Sequence, residues 1–191
     1  RYILSSIALN AKGSSEPQLI KGLSAYTNFL KAKERAGIER AVLSNVFARD
    51  TFTEVLFTKF ITLMSEQKSY TNAFKAIAAK EYSHLYDTTM DAQAVTEVAS
   101  MRKIALERAQ TGGFGVNAET WFKTITLKIN LLKQIDDDLG NSNKALVEEL
   151  SSSLLKGMFL HQGLMILFGL ILIAILWSIR HSIIDSVEAS L

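Results

Sequence analysis

The chain contains no cysteine. Disulfide frameworks, thiolate metal sites and cysteine nucleophiles are thereby excluded, while either side of a membrane stays open as its location. Proline is nearly absent as well. Its one occurrence, Pro17, follows the loop-like AKGSSE and suits the first turn of a helix, where a missing N–H costs nothing. No segment alternates apolar and polar residues as a half-buried strand does, and there is no internal repeat or low-complexity tract. An excess of one charge is also lacking: 21 lysines and arginines stand against 19 acids, for a net charge of +2. Without a basic stripe to meet a phosphate backbone, nucleic acid is not an expected partner.

Reactive constellations are equally sparse. His84, His161 and His181 lie far apart and lack the paired helical spacing of a metal site. TGGFGVN follows a helical pattern rather than a strand and has no Lys-Ser or Lys-Thr after it, so it reads as a turn and not a phosphate loop. DDDLGNSN, beginning at Asp136, has acids but not the ligand periodicity of a calcium loop. No nucleophile and base stand at a catalytic spacing. We therefore expect no catalytic residue, no metal and no cofactor in this stretch, with an enzymatic region beyond Leu191 left open.

What the sequence does hold is apolar material in helical order. At 48% hydrophobic content, 191 residues can bury a sizeable core. The spacing predicts helices from Pro17 to Ala48, from Thr51 to Lys80, from Asp87 to Ala109 and from Ala118 onward. Asp50 or Thr51 is the expected N-cap of the second, with Thr51 and Glu54 at capping-box spacing. EYSHLYDTTMD is ambiguous. The glycines of QTGGFGVN close the third helix, and Asn117 caps the fourth. That last helix carries Trp121, Ile125, Leu132, Ile135 and Leu139 at helical spacing, with room for a kink at Gly140 and Asn141. The expected fold is all-α: an up-down helical bundle over residues 1–150 whose last helix is its stalk.

The run Gly163 to Ile179 has no charged residue, and the apolar span reaches back to Gly157. Residues 157–179 are long enough to cross a bilayer as a helix. Trp177 suits the headgroup zone, and Arg180 with His181 marks the C-terminal side as cytoplasmic, leaving 180–191 as the start of a linker. At the other end, RYILSSIALN begins inside an apolar pattern with no helix-start signal, and we read the sequence as part of a longer chain.

Three cations are sorted with the wrong set. Wound at roughly 100° per residue, Arg40 shares an arc with Tyr26, Phe29, Ala36, Leu43 and Phe47, while Lys31, Arg35 and Glu39 gather opposite. Arg102 falls with Val95, Val98, Ala105 and Leu106, and Lys128 with Trp121, Ile125, Leu132 and Ile135. Buried cations cost several kcal/mol each unless something anionic meets them. No acid appears on those arcs. Ala36, Gly37, Ala41 and Ser44 leave space around Arg40, and its rigid fork matches a small planar oxyanion to which Ser44 could add a hydroxyl. The competing reading is an interhelical ion pair with Glu34, Glu66 or Glu97, or a side chain that snorkels to the rim. Arg40, Ser44, Arg102 and Lys128 are the candidate ligand-binding residues.

KERAGIERAVLSNVFARDTF, followed by WFKTITLKINLLKQIDDDL and a membrane helix, resembles the C-terminal part of the NIT domain, a nitrate- and nitrite-sensing helical module of bacterial receptors and regulators. Lys33, Glu34, Gly37, Glu39 and Arg40 stand in its Lys-Glu-x-x-Gly-x-Glu-Arg pattern, and Trp121 with Phe122 opens its last helix. The resemblance implies a double helical bundle that binds nitrate or nitrite between helices through arginines, of which Arg40 is one. A further ligand arginine is implied in a first helix not included here, and a third on the last helix, where this sequence offers Lys123 or Lys128. It also implies a homodimeric receptor of the bacterial inner membrane with a periplasmic sensor and a HAMP-like linker. Chemotaxis is the expected output, with a histidine kinase, a diguanylate cyclase or a receptor for another small anion as the alternatives.

Overall fold

Pro17 sits in the first turn of the first helix, as its fixed backbone allows. The computed structural model describes the backbone of residues 15–188 and the side chains of residues 17–180; RYILSSIALN and most of the expected linker side chains lie outside them. Among the described residues five helices follow in order: α1 (Ser15–Arg49), α2 (Glu54–Ile77), α3 (Lys80–Met90), α4 (Gln93–Glu107) and α5 (Ala118–Glu188). No strand occurs among the described residues.

The start of α2 departs from expectation. Thr53 caps α2, its hydroxyl accepting the Leu56 N–H at 3.2 Å, so neither Asp50 nor Thr51 serves. Asp50 is used elsewhere. It takes a left-handed backbone (φ 55°), its Oδ1 accepts the Phe114 N–H at 2.8 Å, and its carbonyl accepts the Gly113 N–H at 3.3 Å. The α1–α2 turn is thereby clasped to the α4–α5 loop. Gly112 makes the clasp possible: its φ is +66°, and a Cβ there would lie 2.5 Å from the Asp50 carbonyl oxygen. Gly112→Ala should therefore cost roughly 1–3 kcal/mol, read as a lowered melting temperature. An unchanged transition would show that the loop rebuilds freely. Asn117 caps α5 as expected, accepting the Glu119 and Thr120 N–H groups at 2.9 and 3.0 Å.

The helix expected from Asp87 to Ala109 is two. EYSHLYDTTMD belongs to α3, and the chain breaks at Asp91 before Ala92 turns extended (φ −133°, ψ 151°) into α4. The two pieces serve different cores. Tyr82, Leu85, Tyr86 and Met90 of α3 pack on a cluster formed by Ala25, Phe29, Ala36, Phe74, Leu132, Ile135 and Leu139. Val98 and Ala105 of α4 join a second cluster with Val42, Leu43, Val46, Phe47, Phe60, Leu63, Trp121 and Ile125. One straight helix could not reach both. Phe114, from the glycine loop, plugs the second cluster edge-on to Phe47 at 5.6 Å between ring centroids.

Residues 15–146 form one compact unit, and 147–188 belong to another. Within the first, α5 continues through Gly140 and Asn141 as unbroken helix. Within the second, α5 supplies one stretch long and apolar enough to cross a membrane, with mean hydropathy 2.4 and none of it buried. Large side chains such as Phe168 and Trp177 lie open along it, the pattern of a helix that meets lipid instead of protein.

Candidate anion site

The three cations come to rest in two different places. Arg40 is half-buried at the seam between α1 and α5, outside both apolar clusters. α5 holds it from two sides. Its guanidinium carbon lies 4.7 Å from the Phe122 ring centroid, and Nη1 donates to Thr126 Oγ1 at 3.1 Å. The Thr126 hydroxyl donates its own hydrogen bond to the Phe122 carbonyl at 2.6 Å, which leaves its lone pairs turned to the arginine. The Arg40 backbone is tied as well, because its carbonyl accepts the Trp121 Nε1–H at 3.1 Å and the Ser44 Oγ–H at 2.6 Å.

Two consequences follow for binding. Among the described residues no carboxylate lies within 4.0 Å of Arg40: Glu34 and Glu66 both pair with Arg35, and Glu97 accepts from Gln93. Its Nε and Nη2 likewise have no partner among them. These two nitrogens form one of the guanidinium's two bidentate edges, the geometry that meets a pair of oxygens at once. Ser44, expected to add a donor to an anion, has its proton engaged by the Arg40 carbonyl instead.

Arg102 and Lys128 lie elsewhere. The Arg102 guanidinium closes on Glu39 through Nε and Nη2, and Nη2 also donates to Gln67 Oε1 at 2.9 Å. Gln67 Nε2 in turn donates to Glu39 Oε2 at 2.8 Å. Glu39 is fully buried, a correction to its expected place beside Lys31 and Arg35 and to the expectation that no acid meets the inward cations. The reason lies in the helix repeat. Ala25, Phe29, Ala32, Ala36, Glu39, Leu43 and Val46 follow alternate steps of four and three residues, the seam of helices packed at a shallow angle. Arg40 belongs to the rim of that seam. Trp121, Ile125, Lys128, Leu132, Ile135 and Leu139 keep the same step on α5, so Lys128 does point inward. Glu39, Gln67 and Lys128 each fall between the two apolar clusters along their helices, and with Arg102 they make a polar layer inside the bundle. Burial, and next the charge of Arg102, push the Lys128 ammonium down to about 8, with Glu39 opposing. No hydrogen bond or ion pair among the described residues joins this layer to the Arg40 guanidinium.

Thr126 and Gln67 escaped the sequence reading, as did the buried place of Glu39. For Glu39 and Gln67 the alternating step was the available signal; for Thr126, which is polar on a mostly polar face, there was none.

Fold and seam together define an all-helical bundle with a half-buried arginine whose Nε and Nη2 edge is unpaired among the described residues and which its last long helix braces from behind. A family profile described as nitrate and nitrite sensing (NIT) matches residues 2–143. The chain belongs to that family. It is similar to the nitrate regulatory protein of Klebsiella oxytoca, with 27% identity over 152 residues, covering 78% of this chain and 38% of that protein. The chain thus spans less than half the length of that relative. No solved structure matches it.

Proposed function

We propose that this chain is the sensing part of a bacterial membrane receptor in which nitrate or nitrite docks on the open edge of Arg40 and is reported through α5. The observation that carries this reading is the unpaired Nε and Nη2 edge of a guanidinium anchored to α5 by Phe122 and Thr126. A planar monoanion with two oxygens fits that edge. Because Trp121, Phe122 and Thr126 all hold Arg40 from α5, an anion that reorients the guanidinium also acts on α5. The signal then consists of the anion binding one setting of α5 better than another.

In this reading residues 157–179 cross the inner membrane, Arg180 lies on the cytoplasmic side, and the sensor is periplasmic. The assembly is a homodimer, and residues 180–191 lead toward a chemotaxis output, with a histidine kinase or diguanylate cyclase as the alternative outputs. The chain itself acts as a sensor and not as a catalyst.

Calorimetric titration of nitrate into the full-length receptor in nanodiscs tests the site. Arg40→Lys keeps the charge but loses the fork, so affinity should fall by about 1.5–3 kcal/mol, more than tenfold. Arg40→Ala should abolish binding. Because no carboxylate depends on Arg40, that variant's ligand-free melting should shift by no more than about 1 kcal/mol. Binding of nitrate by Arg40→Ala at the parent's affinity would falsify the assignment.

A further inference from the structure

Away from the Arg40 seam, the start of α2 and the end of α4 frame a cleft of about 430 Å³, within the size range of small-ligand sites. Its walls are largely apolar. Phe52 and Phe57, with ring centroids 5.4 Å apart, line it from the α1–α2 turn and from α2, and Leu106 of α4, 40% exposed, lines it opposite them. Two acids also line the cleft, Glu54 and Glu107, and no lysine, arginine or histidine does. Glu54 has no ion pair among the described residues, although it stands in the first turn of α2, whose positive end offsets part of its charge. Glu107 has less to offset it. Its only ion pair among the described residues is with Lys103 at 3.8 Å, between side chains 62% and 74% exposed, where water screens the attraction. Glu107 also occupies the last turn of α4, which carries no basic residue, so the negative end of that helix adds to its field. Arg108, the next residue, donates from Nη1 to the Gly113 carbonyl.

We propose that this cleft binds a small organic ammonium ion, with its charge at Glu107 and Glu54 and its apolar body against Phe52, Phe57 and Leu106. Walls and charge select this class together. An anion would meet two carboxylates. A metal ion would find no group of three or more histidine or acid side chains, since none occurs among the described residues. An apolar cation satisfies both features at once: its body covers the rings and the exposed leucine, its charge neutralises the carboxylates, and an ammonium beside an aromatic ring gains a cation–π attraction. Such a ligand touches α2 on one side and α4 on the other, beside the contact of Asp50 with Gly113 and Phe114. It is thus a second ligand of opposite charge to the one assigned to Arg40, and its site shares no residue with that seam.

The experiment is calorimetric titration of phenethylammonium into the full-length protein in phosphatidylcholine nanodiscs, with empty nanodiscs as the blank. 2-Phenylethanol is the uncharged counterpart of nearly the same shape. The amine should bind at a single site, and the alcohol more weakly by roughly tenfold, the difference a charge-assisted hydrogen bond makes. Glu54→Gln combined with Glu107→Gln should weaken the amine by about the same factor and leave the alcohol unchanged; both side chains are exposed, so the fold does not depend on them. Phe57→Leu keeps an apolar wall but removes the ring, and should weaken the amine by about two- to fivefold. Arg40→Ala should bind the amine as the parent does, and the double glutamine variant should bind nitrate as the parent does, so the two sites succeed or fail separately. Equal affinity for amine and alcohol, an unchanged affinity for the amine in the double variant, or no heat beyond that of empty nanodiscs would overturn the proposal.

Discussion

Glu39→Ala is expected to destabilise the bundle by roughly 3–5 kcal/mol, the cost of breaking a buried ion pair by deleting one partner. Glu39 has no exposed surface, and its two oxygens receive Arg102 and Gln67. Without it, Arg102 and Lys128 would face each other across the layer with no carboxylate between them. Glu39→Gln keeps the volume and one acceptor but loses the charge, so its loss should be smaller though of the same sign. Chemical denaturation measures both. A change below about 1 kcal/mol for Glu39→Ala would mean that the layer opens to water and that its charges are solvated where they sit.

The neighbouring cation should behave in the opposite way. Folding lowers the Lys128 ammonium from its ordinary 10.5 to about 8. Between those values the unfolded chain binds more protons than the folded one, so stability should rise as the pH climbs from about 8 to about 10.5. Below about 8 the amine is charged in both states and the folded protein carries the whole penalty, roughly 3 kcal/mol. Lys128→Met should remove this pH dependence and match or exceed the parent's stability at neutral pH, because an apolar side chain of similar length replaces a buried charge. Denaturation midpoints measured across that pH range decide it. A variant less stable than its parent at pH 7 would show that the ammonium is satisfied from within the protein. The contrast with Glu39 is instructive: each residue is a buried charge of the layer, yet one neutralises a neighbour and the other is left over.

The helical class and the apolar span could be read directly from residue order. Sparse proline, glycines gathered at one turn, and apolar residues at helical spacing leave little besides long helices, and no charge interrupts 163–179. Helix ends were less legible. Thr53 rather than Thr51 caps α2 because Asp50 and its neighbours are drawn to the Phe114 loop, a contact 64 residues away in the chain. The split at Asp91 was illegible for a similar reason: no glycine or proline marks it, and the break exists because α3 and α4 answer to different clusters.

Local periodicity thus settled that long helices form and that an arginine of α1 stands close to the core, since these depend on the chain's own winding. Which of two adjacent residues turns inward was decided by packing. A shallow helix crossing keeps a step of three and a half residues along the seam, and that register carries Glu39 to the centre and leaves Arg40 at the rim. The same register brings Glu39 to Arg102, 63 residues away, and Arg40 to Thr126, 86 residues away. An arginine can be picked out of a sequence; which guanidinium is met by a carboxylate and which is not is a matter of where four helices meet.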